Sequence, residues 1–396
     1  MSPRAFACRH RRPNPPVPVR QERAMPTMSG HLPASATGAR PVSPGGHVTS
    51  ATMLGHTVLL DHAVPEVDAL LRAELGAYFG IDAQLPEPLV PLARVSVEVS
   101  AEAGDRWRTS RGDAGRPILL HSGSHAYDVR RGVRHEHDGV VVVESVDTGS
   151  CVVSDVAART VHVVNGDPAA AASDVRRVVR DLLFLPWLEA HGGVVVHAAA
   201  VVGADGSGTL VVGDRGAGKT SVFMAAALDG AREALSCERI VLLPTPDGLR
   251  MLACPEKIST FPGTLRAFPQ TEHLAGPRSA DTEWSRPGKR RIAWQDMFAC
   301  LGFTPAQRPV YLDRVVFPTW EPAGRPPRRL DRTQTWFRLL DQTVTGRSVE
   351  RPDWLGWFAP AHTDQTLWAA SAAPAWAATW SDLDSAAALT RGALDD

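Results

Sequence analysis

The stretch Gly213-Asp214-Arg215-Gly216-Ala217-Gly218-Lys219-Thr220 constrains this chain more than any other part of it. It fits the spacing G-x-x-x-x-G-K-[ST] at every fixed position and stands between an apolar, strand-like run and a helix-like run, the context such a loop requires. The glycines are needed because a loop that wraps a phosphate chain at backbone distance adopts φ values that a Cβ forbids. The inward-pointing amides and the positive end of the following helix then form an anion site. The spacing therefore predicts that Gly213, Asp214, Arg215, Gly216, Ala217, Gly218, Lys219, Thr220 and Ser221 hold the phosphates of a nucleotide. Lys219 is expected to reach the terminal phosphates, and the Thr220 hydroxyl to ligate Mg²⁺.

Lysine occurs only at 219, 257 and 289 among 42 basic residues, arginine supplying the rest. That scarcity lowers the chance of an accidental match and makes each lysine informative. Acidic residues number 43, for a formal net charge of -1. Nucleic-acid binders draw their affinity from clustered cations set against phosphates, so no nucleic-acid partner is expected. A hydrophobic content of 44% supports the core of one or two domains. No uninterrupted apolar stretch approaches the roughly 18 to 20 residues that span a bilayer, so no membrane partner is expected either. The cysteines at 8, 151, 237, 254 and 300 are odd in number and scattered, which argues against a disulfide framework and points to a reducing cytoplasm. The Arg- and Pro-rich start lacks the apolar segment of a secretory signal.

Residues 1–50, dominated by Pro, Gly, Ser, Thr, Ala and Arg, are expected to form a disordered extension. Over 51–190, short Val-rich runs punctuated by turn residues predict strands. A leading helix is expected over 64–80, and a second over 168–190, kinked or ended at Pro186. This half reads as a smaller, β-rich α+β accessory domain. In 191–396, two unbroken apolar runs around His197 and before Gly213 predict a sheet buried on both faces. One further strand is expected over 239–255. The fold class is thus mixed α/β, a P-loop domain preceded by the accessory domain.

A P-loop alone does not separate kinases, GTPases, transporters and helicases. The surroundings do more. The run from Val194 to Gly248 resembles the catalytic domain of HPr serine kinase/phosphorylase, and more closely the HPr-kinase-like proteins of bacterial biosynthetic clusters. Those proteins place a histidine on the strand before a hairpin, then the P-loop, then a Ser-Asp-Asp-Arg strand start about 18 residues after the P-loop lysine. Weaker similarity extends through 254–269, 310–320, 329–343 and 374–389. The resemblance implies transfer of phosphate from ATP, with Mg²⁺, to a hydroxyl, usually serine, of a peptide, protein or small amino-acid-like acceptor.

His197 matches the family's histidine, which implies a place beside the transferred phosphate; from the residues alone, a satisfied core histidine in an apolar run is the preferred reading. Ser236-Cys237-Glu238-Arg239 occupies the Ser-Asp-Asp-Arg position, with Cys and Glu in place of the two aspartates. A thiol binds Mg²⁺ poorly and orients no proton, so Cys237 is expected to be inert. Glu238 is expected to serve as metal ligand or as base. Because phosphoryl transfer asks mainly for positioning and charge neutralisation, this change is compatible with a kinase. It is equally compatible with a nucleotide-binding regulatory or accessory protein without turnover. A P-loop ATPase or GTPase switch is a third reading, although no N-K-x-D signature follows the loop.

Lys257 and Arg266 fall where the family places its acceptor side, against the alternative of simple solvated charges. The histidines at 121, 125, 135 and 137, with Asp128, Glu136 and Asp138, are expected to decorate a wet sheet face rather than hold zinc. Tryptophans 336, 354, 357, 368, 376 and 380 are candidates for a cleft lining but more ordinary as packing anchors.

Overall fold

Valine-rich runs separated by short turns favour antiparallel pairing, and most of the first half is built that way, with β4 alone pairing in parallel, to β2 and β9. The computed structural model describes residues 47–82, 90–103, 105, 115–122, 129–254, 256–279, 281–285, 288–344, 352–359 and 363–391. Strand β1 (His47–Met53) turns through Leu54 and Gly55, both at positive φ, into β2 (His56–His62). Helix α1 (Pro65–Leu75) and the short β3 (Gly80–Asp82) follow. Then come β4 (Ala93–Val99), β5 (Arg116–Ser122), β6 (Val129–His137), β7 (Val140–Ser145), β8 (Cys151–Asp155) and β9 (Thr160–Asn165). Asp138-Gly139, again with both φ positive, closes β6 onto β7, the twist-matched hairpin turn. The nine strands form one sheet in the order β3-β1-β2-β4-β9-β8-β7-β6-β5.

Two expectations change here. β1 starts at His47, with Thr49 and Ser50 buried against the sheet, so residues 47–50 are strand and not part of an extension; residues 1–46 lie outside the described residues. The helix expected over 168–190 is three pieces: α2 (Pro168–Arg177), a π-helical segment (Val178–Phe184), and α3 (Leu185–Ala190). Pro186 has no N–H to give to a preceding carbonyl and clashes with a regular turn, so it sits in the first turn of α3 with the widened register before it.

The second half contains β10 (Val194–Val196), β11 (Ala198–Val202), β12 (Gly208–Val212) and α4 (Lys219–Ala226). Next are β13 (Glu233–Ser236), β14 (Ile240–Thr245), β15 (Gly248–Ala253), β16 (Ile258–Thr260), α5 (Pro262–Ala267), β17 (Arg290–Ile292) and α6 (Trp294–Leu301). The chain continues with β18 (Thr304–Pro305), β19 (Val310–Tyr311), β20 (Arg314–Trp320), β21 (Arg328–Arg329), α7 (Arg332–Leu340), α8 (Thr363–Ala370), β22 (Ala375–Trp380) and α9 (Leu383–Ala388). The strand expected over 239–255 is the hairpin β14–β15, turned at Pro246-Asp247, a turn pair inside an otherwise apolar run.

A seven-stranded sheet in the order β18-β13-β11-β12-β20-β22-β21 forms the centre, with β10-β14-β15-β19 as a second layer and β16-β17 as a separate ribbon. Every residue of β11 and β12 is buried, as expected of a sheet covered on both faces. The architecture is mixed α/β. The core beneath the nine-stranded sheet takes in Val195, Val241, Leu252, Val344 and Leu355, so the two halves of the chain share packing. No helix among the described residues is long and apolar enough to cross a membrane. Of the histidine cluster, His135 lies 4.0 Å from Glu144 and His137 2.9 Å from Asp138; the His121 side chain, His125 and Asp128 lie outside the described residues. Among the described residues no group of three or more potential ligands gathers for a metal.

α4 is held down by Phe223, fully buried and packed against Phe298 and Phe303 with ring centroids 5.9 and 5.2 Å away. Truncation there leaves a cavity of a whole ring. Phe223→Ala is expected to cost about 3–5 kcal/mol, read as a lowered urea midpoint with the native slope.

Candidate functional site

Strand direction assembles the site. β13 is antiparallel to β11, β11 is antiparallel to β12, and β12, β20 and β22 are mutually parallel, so β13, β12, β20 and β22 all end on one edge of the sheet. At those four ends stand Cys237-Glu238, the glycine loop, Trp320 and Trp380. β11 runs the other way and begins on this edge. Ala198 pairs with Val212, which sets His197 beside Gly213. Open sheets of this kind hold ligands outside the carboxyl ends of their strands. A cavity of about 610 Å³ opens there, lined among others by His197, Arg215, Gly216, Gly218, Lys219, Thr220, Ser221, Cys237 and Glu238.

The loop is a cradle of backbone. Gly216 and Gly218 have φ of +94° and +100°, the left-handed region that the motif's glycines are there to reach. A Cβ on Gly218 would also strike the indole of Trp380, whose Nε1 donates to the Ala217 carbonyl at 3.4 Å. Gly213, Asp214 and Ala217 shape the loop without lining the cavity. The buried Lys219 Nζ donates to the carbonyls of Gly213 (2.6 Å) and Asp214 (3.2 Å), and burial lowers its pKa. Gln342 clamps the base of the loop: its side-chain amide donates to Asp214 Oδ1 at 2.8 Å, and its backbone carbonyl accepts from the His197 backbone N–H at 2.8 Å.

The side chains beside the loop have distinct electrostatics. The Cys237 thiol is buried and hydrogen-bonded to the Thr220 hydroxyl, and burial, then the nearby Glu238 carboxylate, pushes its pKa well up. The thiol is therefore protonated near neutral pH. Glu238 Oε1 accepts from the Ser259 N–H at 2.6 Å, yet burial outweighs that bond and raises the carboxyl to about 7. His197 is lowered to about 3, first by burial and then by Lys219, Arg239, Arg215 and Lys289, so it is neutral near pH 7.

The lining holds six cationic side chains, Arg215, Lys219, Arg239, Lys257, Lys289 and Arg291, against two carboxylates, Glu238 and Glu256. All three lysines of the chain are among them. A positive cavity in a protein of net charge -1 suits an anionic ligand better than a cationic one. Arg239 is anchored from behind: its Nη1 lies 2.9 Å from Glu256 Oε1, and Glu256 also meets Arg180 of the π-helical segment at 3.4 Å. Arg266 does not belong to the cavity, because its guanidinium is bonded to Glu283 and to the Gly276 carbonyl.

Hard oxygen donors for Mg²⁺ are present in Thr220 and Glu238, and a P-loop magnesium ordinarily takes only one or two protein oxygens beside phosphate and water. The left-handed glycines, the buried lysine at the loop and this donor pair together fit a magnesium-bound nucleotide phosphate.

Of the tryptophans considered from sequence, Trp380 alone lines the cavity; Trp354 and Trp376 are core, Trp336 and Trp357 pack at its margin, and Trp368 stacks under Arg332. Trp284 and Trp320 line the cavity and were not expected to, nor were Lys289, Arg291 and Glu256. The scarcity of lysine was the available signal for Lys289, whose Nζ sits 4.8 Å from the Phe261 ring centroid. No protein-family model matches the chain, and no curated protein matches it in sequence.

Two predictions follow from this geometry. Gly216→Ala meets no atom within 4 Å and costs only backbone strain, about 1–2 kcal/mol, whereas Gly218→Ala adds the collision with Trp380. The second variant should therefore melt lower, and Trp380→Ala should recover part of the difference in a double-mutant cycle. For Glu238, a folded-state pKa raised from 4.5 to about 7 means that the folded protein favours the protonated form. Its stabilising contribution is fully present below the unfolded value and is lost as pH rises through about 7. Glu238→Gln removes that loss, so the variant's denaturation midpoint should gain on the wild type's between about pH 5 and about pH 8.

Proposed function

We propose that this chain is an HPr-kinase-like phosphotransferase that uses ATP and Mg²⁺ to phosphorylate a hydroxyl, usually serine, of a peptide, protein or amino-acid-like acceptor. The observation that carries the proposal is the cavity at the strand ends, where the left-handed glycine loop and all three lysines of the chain converge on one polyanion-sized space. Loop amides from 214 to 219 hold the phosphate tail, and Lys219 leaves its carbonyl partners to neutralise the terminal phosphates. Thr220 and Glu238 would hold Mg²⁺, which supplies charge neutralisation at the phosphates.

In the transfer step the acceptor oxygen bonds to the γ-phosphorus as the bond to the β,γ-bridging oxygen breaks, ADP departs, and the acceptor proton passes to a base. Glu238, with its carboxyl raised to about 7, suits the base role near neutral pH. The neutral His197 offers a hydrogen bond without adding charge. Glu238 cannot both ligate the metal tightly and take the proton, so the two roles compete in this chain.

One observation favours a second reading, nucleotide binding without transfer. Cys237 stands where the resemblance expects an aspartate, and its protonated thiol holds the Thr220 hydroxyl. Labelled ATP, Mg²⁺ and peptides encoded near the gene decide between the two. A kinase transfers label to peptide, and Lys219→Ala lowers the rate by about 10²-fold or more. Restoring the aspartates, Cys237→Asp with Glu238→Asp, should raise transfer. ATP bound with no labelled peptide supports the second reading, and steady hydrolysis without acceptor supports a nucleotide-driven switch.

A further inference from the structure

The cavity has two chemically unlike flanks. Glu238, His197, Lys257, Lys289 and Arg291 come from β13, the start of β11 and the β16–β17 ribbon. On the other side of β12, the strand ends carry Trp320 and Trp380, which face one another across the β20–β22 ladder, with Leu383 beyond. All three line the cavity.

We infer that Trp320 and Trp380 form a stacking shelf for the nucleobase, which fixes the polarity of the bound nucleotide: base over β20–β22, terminal phosphate toward β13. The inference rests on the phosphate-site reading above and adds to it a subsite and a direction. Its grounds are positional. The phosphate tail is centred on Lys219, and the lining groups able to take a proton from an acceptor, Glu238, Glu256 and His197, lie toward β13. The nucleoside must then leave by the opposite side. There the wall is Trp320, Trp380 and Leu383, aromatic and apolar, whereas the aromatics of the opposite flank, Phe261 and Trp284, stand among Lys257, Lys289 and Arg291. The Trp380 indole is fixed against Gly218 and by its bond to Ala217, so it abuts the phosphate loop itself. Trp320 is 54% exposed, a large apolar surface turned to the cavity. An aromatic face that recognises a base by stacking tolerates any base, because each has a π-face.

Calorimetry with Mg²⁺ and, separately, ATP, GTP and inorganic tripolyphosphate tests this on the full-length protein. Wild type should bind ATP about 5- to 100-fold more tightly than tripolyphosphate, with GTP within about tenfold of ATP. Trp320→Ala, at an exposed position that folding does not require, should remove most of the ATP advantage and leave tripolyphosphate binding unchanged. Trp380→Phe, which keeps a ring against Gly218, should retain more of the advantage than Trp380→Ala. Equal binding of ATP and tripolyphosphate by wild type overturns the shelf, as does a Trp320→Ala protein that weakens both ligands alike or neither. GTP bound far more weakly than ATP overturns recognition by stacking. Failure of tripolyphosphate and both nucleotides to bind wild type overturns the phosphate site itself, a different result from loss of the shelf.

Discussion

The common direction of β13, β12, β20 and β22 is the constraint on which the rest depends. A parallel ladder brings carboxyl ends to one edge, and in this sheet that edge receives a glycine loop, a carboxylate and two indoles from residues up to 167 positions apart in sequence. β11 runs against them, so the residue before it, His197, is delivered to the same edge from the other end. β11 and β12, buried on both faces, form the middle of that edge. The loop leaves β12 at Val212 with no slack, and its left-handed glycines, the lysine on its carbonyls and Gln342 hold it in a curled form.

Low dielectric sharpens what the edge carries. Burial raises the Glu238 carboxyl, lowers His197 and Lys219, and keeps the Cys237 thiol protonated. These shifts share one first cause, burial; the surrounding cations add to it at His197 and oppose it at Glu238 and Cys237. A bound polyanion would therefore partly reverse the shifts of His197 and Lys219 and raise Glu238 further. The segments packed beside the nine-stranded sheet contribute from behind. Tyr78 donates to the carbonyls of Leu235 at 2.5 Å and Ala234 at 3.2 Å, directly before the Ser236-Cys237-Glu238 turn, and Arg180 reaches Glu256 from the π-helical segment.

Much of this was legible in the sequence because the signals were local. The spacing of Gly213 to Thr220, the apolar runs on each side and the short valine-rich runs of β7 to β9 state their own structure. The hairpin turn in 239–255 was also written in the chain, at Pro246-Asp247, but an apolar run on both sides masked it. What the sequence did not disclose is long-range. Whether Trp320 or Trp336 faces a cavity depends on strand register and on which elements cover each face, and both are tryptophans near Pro- or Arg-rich loops. Lys289 and Arg266 have similar local surroundings, yet one lines the pocket and the other is tied up by Glu283. No periodicity distinguishes them.

The central claim is that the loop from Gly213 to Thr220 is a seat for the phosphate tail of a nucleotide. A crystal structure of the protein with Mg²⁺ and a non-hydrolysable ATP analogue tests it most directly. The account predicts phosphate oxygens on the loop amides and Lys219 Nζ moved from the Gly213 and Asp214 carbonyls onto them. A loop still bare at saturating analogue, with the lysine on its carbonyls, would contradict it.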